Sequence, residues 1–582
     1  MIMSTHTEYL SHLSTKIINQ AESVQFWEQL STYSEELSIL ADLSLDPVRD
    51  SLSALYCPSG NGSPKDPCAM LRSWLLMTLC RESSPTVWAT RLHREPLLTF
   101  ITGFSPEEAP GATTHRDFLT RLLDGPYAER SKQDSPLSQQ LRGRHHHKLN
   151  DTTKARRAEA DAQGKTLSEQ LSETLLKNNQ HPRNPHELQT RLDHLFCELG
   201  LKPTLAAQLI PQGDIIVAGD GTIEPSAASK EGKRACDCPP GSRCGCARDY
   251  TSKTAQFCSD TQHGWVFGDR SYTISVNLNG RDIPLMTIMG TGNESDFTLS
   301  LNALDRLLKL LEELDIPLTI KIFIGDGHHD AIGIYRYLKA KGIIPIVPLD
   351  EDSKPKTGLQ KSSTHNKLLE PDSEIAGKQQ HSDPNPTSEQ QTQTQTKKHK
   401  QVSPKPHIEM YPTITFDHDG TPICPGRRRM RHQGYNAAKS AHIFACPCMR
   451  KNGKQEWVFH EQECPFQQDC TPPEKRMGYT LYIKSEADLR LFPPIPRDSK
   501  RFKDLFDQRS GTERQNSVAD SYKIDRCHRN AAYTLIRLTF VNICKHARIR
   551  ETEKAEKGKT RSKHAQLHEA LARLNLSHLL PN

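Results

Sequence analysis

Two apolar runs that each lead into an aspartate constrain the fold of this 582-residue chain more than any other feature. Ile215–Ala218 precedes Gly219 and Asp220, and Ile320–Ile324 precedes Gly325 and Asp326. Short runs rich in β-branched residues and followed by Asp-Gly turns are typical of buried strands. Carboxylates at the ends of such strands lie at one edge of a sheet, where they can share hard divalent cations. The sequence therefore predicts a pair of metal-binding carboxylates.

The segments around these runs predict the class of fold. Leucines recur at helical spacing between residues 299 and 311, which indicates a helix between the two aspartates. The predicted succession is Ile215–Ala218, then Trp265–Phe267 with Tyr272–Leu278, then Pro284–Met289 as strands, the leucine-rich helix, the strand ending at Asp326, the helix Ala331–Lys341 and the strand Ile343–Leu349. This β-β-β-α-β-α-β order predicts an α/β domain with a mixed sheet and flanking helices.

The remaining chain is divided by changes in composition. Asp66-Pro67 and Ser84-Pro85 have the form of helix starts, so the N-terminal region is predicted to be helical. A tract around Gln390–Lys400 is of low complexity and is predicted to be disordered. The predicted boundaries are a helical N-terminal domain at 1–130, a charged linker at 131–185, the first part of the core at 186–350, a disordered insertion at 351–405, a cysteine-rich insertion at 406–500, the last core helix at 501–550 and a basic tail at 551–582.

The charge of the chain is nearly balanced. It has 76 Lys plus Arg against 70 Asp plus Glu, a net charge of +6, so binding of nucleic acid must depend on local patches. No stretch approaches the roughly 18 to 20 continuous apolar residues of a membrane span, and the N-terminus lacks the apolar core of a secretory signal. We therefore expect a cytoplasmic protein.

Sixteen cysteines fall partly into two groups. In a reducing compartment such groups indicate metal more than disulfides, and four thiolates bind zinc tetrahedrally. In the first group, Cys236-x-Cys238 with Cys244-x-Cys246, the spacing is tighter than the usual C-x2-C, so a single-loop site would be strained; zinc and unliganded thiols both stay open. In the second group we expect structural zinc, with Cys446 as a possible substitute ligand, on Cys424, Cys448, Cys464 and Cys470.

Asp220-Gly-Thr, Asp326-Gly-His-His-Asp330 and Arg509-x3-Glu513, taken in this order, resemble the motifs of the DDE transposases of bacterial insertion sequences. The resemblance covers about Asp66 to Lys545. It implies an RNase H-like catalytic domain in which Asp220, Asp326 and Glu513 hold Mg²⁺, or Mn²⁺, for two-metal phosphoryl transfer on DNA. The family often continues its glutamate motif with a lysine; Asp520 stands there, and Lys523, a turn further on, is the expected substitute.

The resemblance also implies partners. We expect DNA, as terminal inverted repeats and as target DNA, and a homodimer that pairs two ends in the nucleoid. Arg509 is expected to contact phosphate, with a surface ion pair to Glu513 as the alternative. The run Arg427, Arg428, Arg429 and Arg431 is either a phosphate-binding finger or a solvated loop. The N-terminal helices either bind DNA ends or only support the enzyme, and Asp330 is expected to cap the helix that follows it.

Two other functions remain open at this stage. One is a transposase-derived, zinc-containing DNA-binding protein without catalytic activity, which the departure at Asp520 allows. The other is an RNase H-fold nuclease that cuts DNA without joining strands. Magnesium-dependent cleavage separates the first from a transposase, and strand joining separates the second.

Overall fold

A computed structural model describes the chain at residues 5–58, 64–147, 151–178, 181–184, 186–239, 241, 244–260, 264–350, 414–417, 419–424, 427–454, 456–459, 480–524, 527–553 and 562–580. It divides into a larger unit, Met1–Pro348 with Lys503–Asn582, and a smaller unit, Leu349–Phe502. The predicted disordered insertion at 351–405 and two predicted zinc ligands, Cys464 and Cys470, lie outside the described residues.

The N-terminal part of the larger unit is helical, and its helices begin where capping chemistry places them. The Asp66 side chain accepts a hydrogen bond from the Cys68 amide, and the Ser84 hydroxyl accepts one from the Val87 amide. The helices are α1 His6–Ile18, α2 Val24–Thr32, α3 Ser34–Asp42, α4 Arg49–Ser53, α5 Pro67–Leu79, α6 Pro85–Arg94, α7 Pro96–Thr102, α8 Ala112–Asp124, α9 Tyr127–Arg130, α10 Leu137–Gln140, α11 Asp151–Ala162, α12 Leu167–Lys177, α13 Leu188–Phe196 and α14 Lys202–Ala206.

Helix α5 is the centre of this helical region. Every one of its residues is buried, including Arg72, whose guanidinium lies 3.7 Å from the centre of the Tyr9 ring. A helix that is apolar on all sides needs neighbours on all sides. Its apolar side chains belong to one continuous core that also includes side chains from the sheet described next.

A mixed sheet forms the second half of this core. The strands of the larger unit are β1 His145–His147, β2 Gly213–Pro225, β3 Lys233–Arg234, β4 Arg248–Tyr250, β5 Gln256–Asp260, β6 Gly264–Leu278, β7 Arg281–Gly290, β8 Leu318–Ile324 and β9 Ile344–Ile346. Strand β6 lies between β2 and β7 and is antiparallel to both, whereas β2, β8 and β9 are parallel neighbours. The predicted mixed α/β class is confirmed. The two short strands predicted within 265–278 are one continuous strand, β6.

Two helices complete the β-α-β connections. Helix α15 is Asp296–Glu313, and its buried leucines contact β6 and β7. Helix α16 is Ile332–Ala340, and it packs against α12. The segment predicted to be a linker at 131–185 thus contributes a helix to the packing of the core, because Ser168 and Ser172 of α12 are small enough to be buried there.

The C-terminal part of the larger unit returns to the N-terminal helices. Helix α17, Lys500–Phe506, begins in the smaller unit and ends in the larger one, in which α18 is Ser510–Asp520, α19 is Ala531–Glu553 and α20 is Lys563–Arg573. Helix α19 lies between α5 and β7: the Phe540 ring is 6.2 Å from that of Trp74, and the Asn542 amide donates to Thr287 at 2.9 Å. Helix α20 packs on α3, and its buried residues are Leu567, Ala570 and Leu571. The predicted basic tail therefore contains a helix with one buried face. Residues 554–561 are outside the described residues.

The contact between α12 and α16 depends on Gly333. A β-carbon at this position would lie 2.0 Å from the Ser168 carbonyl oxygen, far inside van der Waals contact. We expect Gly333→Ala to lower the free energy of unfolding by about 1–3 kcal/mol, because the two backbones must separate. Urea denaturation measures the change. Gly453→Ala is the control, since nothing lies within 4 Å of its β-carbon position, and an equal loss there would contradict this account.

The smaller unit is built from short antiparallel pairs. Its strands are β10 Thr415–Phe416, β11 Pro422–Ile423, β12 Arg431–Asn436, β13 Ala441–Ala445, β14 Met449–Lys451, β15 Trp457–Phe459 and β16 Thr480–Lys484. Strand β13 is central, with β12 and β16 on either side. A small core including Met430, Phe444, Ile483 and Phe492 lies against this sheet.

No helix in the described part of the chain is both long enough and apolar enough to cross a bilayer.

Candidate active site

Asp220 and Asp326 occupy equivalent positions relative to the parallel central strands β2 and β8. The last residue pair between β2 and β8 is Ala218 with Ile324. Asp220 and Asp326 each follow this pair by two positions. Strand β2 continues to Pro225 as a partner of β6, so Asp220 lies within a strand and not at its end. The predicted position just after a strand end is therefore correct for Asp326 and wrong for Asp220, which pairs with Thr273 of β6.

The environment of Asp220 disfavours its negative charge. Burial, together with the charges of Asp326 and Asp296, raises the pKa of Asp220 to about 6, although Arg509 acts in the opposite direction. One hydrogen bond is made to its carboxylate from the far part of the chain: the Asn516 amide donates to Oδ2 at 3.1 Å. A cation bound at Asp220 would be stabilised by the negative charges of Asp326 and Asp296.

Asp326 is held by the short helical turn Gly327–His329. Its Oδ1 accepts from the His328 backbone amide at 3.0 Å and from the His329 ring at 2.6 Å, and the opposite ring nitrogen of His329 lies 2.6 Å from the Tyr272 hydroxyl oxygen. Burial alone would raise the pKa of Asp326, but hydrogen bonding and positive charge from His329 and His328 lower it. Asp326 is therefore a fixed, ionised group, and the His329–Tyr272 pair orients it.

Asp296, the first residue of α15, is a third aspartate at this site that the sequence did not indicate. It is 8% exposed, and its Oδ1 makes no hydrogen bond, although the Arg270 guanidinium is 3.3 Å away. Its Oδ2 is 4.0 Å from Nδ1 of His328, the ring that also contacts Asp326. An aspartate in a first helical turn is common for electrostatic reasons alone, so only the folded chain distinguishes this one.

Glu513 lies in α18, which packs on β2, β6 and β7. The Thr512 hydroxyl contacts that of Ser275 at 2.9 Å, and Arg514 forms an ion pair with Asp282 at 2.9 Å, so the helix is anchored to the sheet on both sides of Glu513. The Asn516 contact with Asp220 is less than one helical turn away. The Glu513 side chain itself is 52% exposed and is paired with Arg509 at 2.7 Å.

The acids do not form a closed ligand set. Within the described ranges, no three acidic groups have oxygens within 4.8 Å of one another, so Asp220, Asp326 and Glu513 would have to approach each other to share ions. The alternative of a surface ion pair for Arg509 is what the structure contains. The positive charge of the Arg509 guanidinium also acts on Asp220, where it favours the ionised carboxylate.

Two details of the predicted site are wrong. Helix α18 ends at Asp520, so Lys523 lies beyond it, exposed and with a positive φ of 55°, and does not share the helix face of Glu513. The helix after Asp330 begins at Ile332 with Ala331 at its N-cap, and Asp330 instead accepts a hydrogen bond from Tyr335 at 3.0 Å.

The arginine run of the smaller unit is mostly engaged within that unit. Arg429 pairs with Asp417 and Asp419, Arg431 donates to the Pro447 carbonyl at 3.2 Å, and Arg428 lies 3.7 Å from the Cys448 sulfur. Arg427 is exposed, with a positive φ of 55°. These contacts favour a structured loop over an arm with four free cations.

The first cysteine group is brought together. Cys236, Cys238, Cys244 and Cys246 have sulfurs within 4.8 Å of one another, and such a cluster could hold a metal ion such as zinc. Arg234 lies 3.5 Å from the Cys236 sulfur, and this contact lowers the pKa of Cys236 to about 6. Of the second group, Cys424, Cys446 and Cys448 are buried but do not form such a cluster with other described residues.

No protein-family model matches this chain, and a search of curated proteins finds no significant match. The site must therefore be interpreted from its own geometry and chemistry.

Proposed function

We propose that the chain is a DDE-type DNA transposase that cleaves and joins strands at the ends of its own mobile element. The observation that carries this proposal is the equivalent position of Asp220 and Asp326 relative to the parallel central strands β2 and β8, where burial and then the charges of Asp326 and Asp296 raise the pKa of Asp220. Carboxylates that repel each other in a half-buried place are typical of functional sites more than of structural ones.

The strand order supports an RNase H-like core within this proposal. In the order β7–β6–β2–β8–β9, the strands β7, β6 and β2 form an antiparallel run of three, and the parallel strands β8 and β9 lie on the other side of β2. Each parallel step is made through a helix, α15 or α16. The late helix α18 then lies across the sheet next to the first aspartate, which is where a third acid of this kind of enzyme is needed.

The donor atoms fit a hard divalent cation. All the candidate ligands are carboxylate oxygens, which Mg²⁺ and Mn²⁺ prefer, and after burial the charges of Asp326 and Asp296 contribute most to the raised pKa of Asp220. Asp220, Asp326 and Glu513 would hold the ions, after Glu513 exchanges its pairing with Arg509 for the metal. Bound ions would supply an activated oxygen nucleophile and charge stabilisation at phosphorus.

The residues around the acids have distinct tasks in this proposal. Asn516 orients Asp220, and the His329–Tyr272 pair orients Asp326. Arg509, released from Glu513, is placed to contact a phosphate of the scissile strand. Asp296 adds negative charge close to Asp220 and strengthens the attraction for cations.

The experiment is a cleavage assay with the full chain. Duplexes made from the DNA on both sides of the gene are incubated with the protein and Mg²⁺, and products are separated on denaturing gels. We expect nicks at the repeat ends and, on supercoiled plasmid, joined product. Cleavage without joining would replace the transposase with a nuclease, and binding without cleavage would replace it with an inactive DNA-binding protein. EDTA should remove all cleavage.

A further inference from the structure

The cysteine group lies in an insertion of the catalytic sheet. Residues 226–263 connect β2, which carries Asp220, to β6, its neighbour in the sheet. Within this connection β3 and β4 pair antiparallel, with Arg234 opposite Arg248. The two Cys-x-Cys segments follow β3 and precede β4, so the pairing brings them alongside each other. We call residues 233–250 with β1 the cysteine sheet.

The sulfur positions match one tetrahedral ion. The distance between the sulfurs is 3.5 Å for Cys236 and Cys244 and 3.7 Å for Cys238 and Cys246, and all four sulfurs lie within 4.8 Å of one another. A zinc ion with Zn–S bonds of about 2.3 Å requires sulfur–sulfur edges of about 3.8 Å. Alternate residues of an extended segment project to one side, which explains why the short Cys-x-Cys spacing permits this geometry.

The cysteine sheet has little else to stabilise it. Its strands are two or three residues long, and the apolar cluster beneath it consists of Ala228, Tyr250, Ala255 and Phe267. Elements with such small cores usually depend on a metal or on disulfides. A bound ion would therefore determine whether the sheet has a defined shape.

The surface of the cysteine sheet is basic. Strand β1, from the segment after Leu141, pairs with β4 and adds His146 to it. Lys233 is exposed and Arg248 is half-buried, and two further exposed cations, Arg144 and Lys230, lie within three residues of the cysteine sheet in the chain. The acids on the same elements are fewer: Asp249 is bound to His146 at 3.1 Å, which leaves Glu231 and Asp237. Arg234 faces the thiols, where it would offset the charge of four thiolates on one zinc.

We propose that Cys236, Cys238, Cys244 and Cys246 bind one zinc ion and that this ion holds the cysteine sheet in a form that grips the phosphate backbone of duplex DNA. The DNA half of this statement rests on the proposed transposase function. The zinc half does not, because it follows from the sulfur geometry alone. The position supports the DNA half, since the sheet extends from the strand that carries the first catalytic aspartate.

Zinc content tests the first half. The full chain, purified under reducing conditions, is analysed by plasma mass spectrometry, and the double variant Cys236→Ser/Cys238→Ser is expected to contain one zinc ion fewer than the wild type. Cys57→Ser, a cysteine outside both groups, should keep the wild-type content. Equal zinc in wild type and double variant would overturn the site. Four thiols that become titratable only after reduction would assign two disulfides instead.

Salt-dependent binding tests the second half. The probe is a fluorescein-labelled duplex from the DNA flanking the gene, and the variant is Lys233→Gln/Arg248→Gln, which keeps all four thiols. Each lost phosphate contact makes the slope of log K against log salt less negative by about 0.9. The slope measured for the double variant should therefore be less negative by about 1.8. Its affinity should fall at least about tenfold at low salt.

The control for this measurement is Lys321→Gln on β8, which removes one exposed lysine that is paired with Asp214. It should leave the slope nearly unchanged. An unchanged slope and affinity in Lys233→Gln/Arg248→Gln would overturn the DNA grip while leaving the zinc site intact. If the wild type neither binds nor cuts the duplex, the transposase proposal fails, and the zinc measurement still stands by itself.

Discussion

Asp220→Asn is expected to reduce Mg²⁺-dependent strand cleavage at least about a thousandfold, which corresponds to about 4 kcal/mol of transition-state stabilisation. An amide keeps the shape of the side chain and can still accept the hydrogen bond from Asn516, but it cannot supply the negative charge that a metal ion requires. Binding of duplex DNA should change by less than about twofold, since phosphate contacts made by Lys and Arg dominate it. Cleavage is followed on gels, and binding by fluorescence anisotropy.

The control for this substitution is Asp214→Asn in the same strand. Asp214 is exposed near the start of β2 and pairs with Lys321 at 3.7 Å, so the same chemical change there should leave cleavage near the wild-type rate. The thermal midpoint of Asp220→Asn should equal or exceed that of the wild type, because loss of the charge relieves repulsion from Asp326 and Asp296. Normal turnover in Asp220→Asn would remove this residue from the active site.

The same measurement has a pH dependence. Because the pKa of Asp220 is raised to about 6, protons compete with cations for it below that pH, whereas an ordinary aspartate would be ionised there. We expect the Mg²⁺ concentration for half-maximal cleavage to rise as the pH falls below 6 and to be constant well above it.

Phe540→Ala is expected to lower the free energy of unfolding of the larger unit by about 3–5 kcal/mol. The Phe540 side chain is fully buried in α19 and lies against Trp74 of α5, so its removal leaves a cavity between the N-terminal helices and the sheet. Buried side chains of α5 and of β6 belong to one core. Hydrogen exchange in urea should therefore show peptides of these two elements losing protection together.

Thr552→Ala provides the comparison for Phe540→Ala. Thr552 is exposed near the end of the same helix, and its replacement should change the free energy of unfolding by less than about 0.5 kcal/mol. If Phe540→Ala destabilised α5 while β6 kept its full protection, the helical region would be an independent domain, as the boundary at residue 130 predicted.

The central strands and the aspartate pair were predictable because their signal is local. A short run rich in β-branched residues and followed by a turn, such as Ile320–Ile324, favours a strand, and the strand then places the residues that follow the run. Helix starts at Asp66 and Ser84 were predictable for the same reason, since the capping residue and the proline are adjacent in sequence.

What the sequence did not indicate depends on distant contacts. Asp296 and Asn516 gain meaning only beside Asp220, which is 76 and 296 positions away, respectively. Helix α12 falls within the predicted linker because few apolar residues are available there. Its buried residues are the serines Ser168 and Ser172, and the Ser168 hydroxyl accepts a hydrogen bond from the Gly333 amide. The predicted position of Lys523 on the helix was wrong because no residue near Asp520 marks the end of α18 in the sequence.

The two ends of the chain meet in the folded protein: the Ser14 hydroxyl donates to the Leu574 carbonyl at 2.9 Å, and Ser38 donates to Glu551 at 3.0 Å. During translation the first helices emerge from the ribosome long before the segment that covers them is made. Their apolar surfaces stay exposed until the residues near Leu574 have been synthesised. A nascent chain of this kind has a long window for aggregation, and we expect its yield in cells to depend strongly on chaperones that bind early apolar helices.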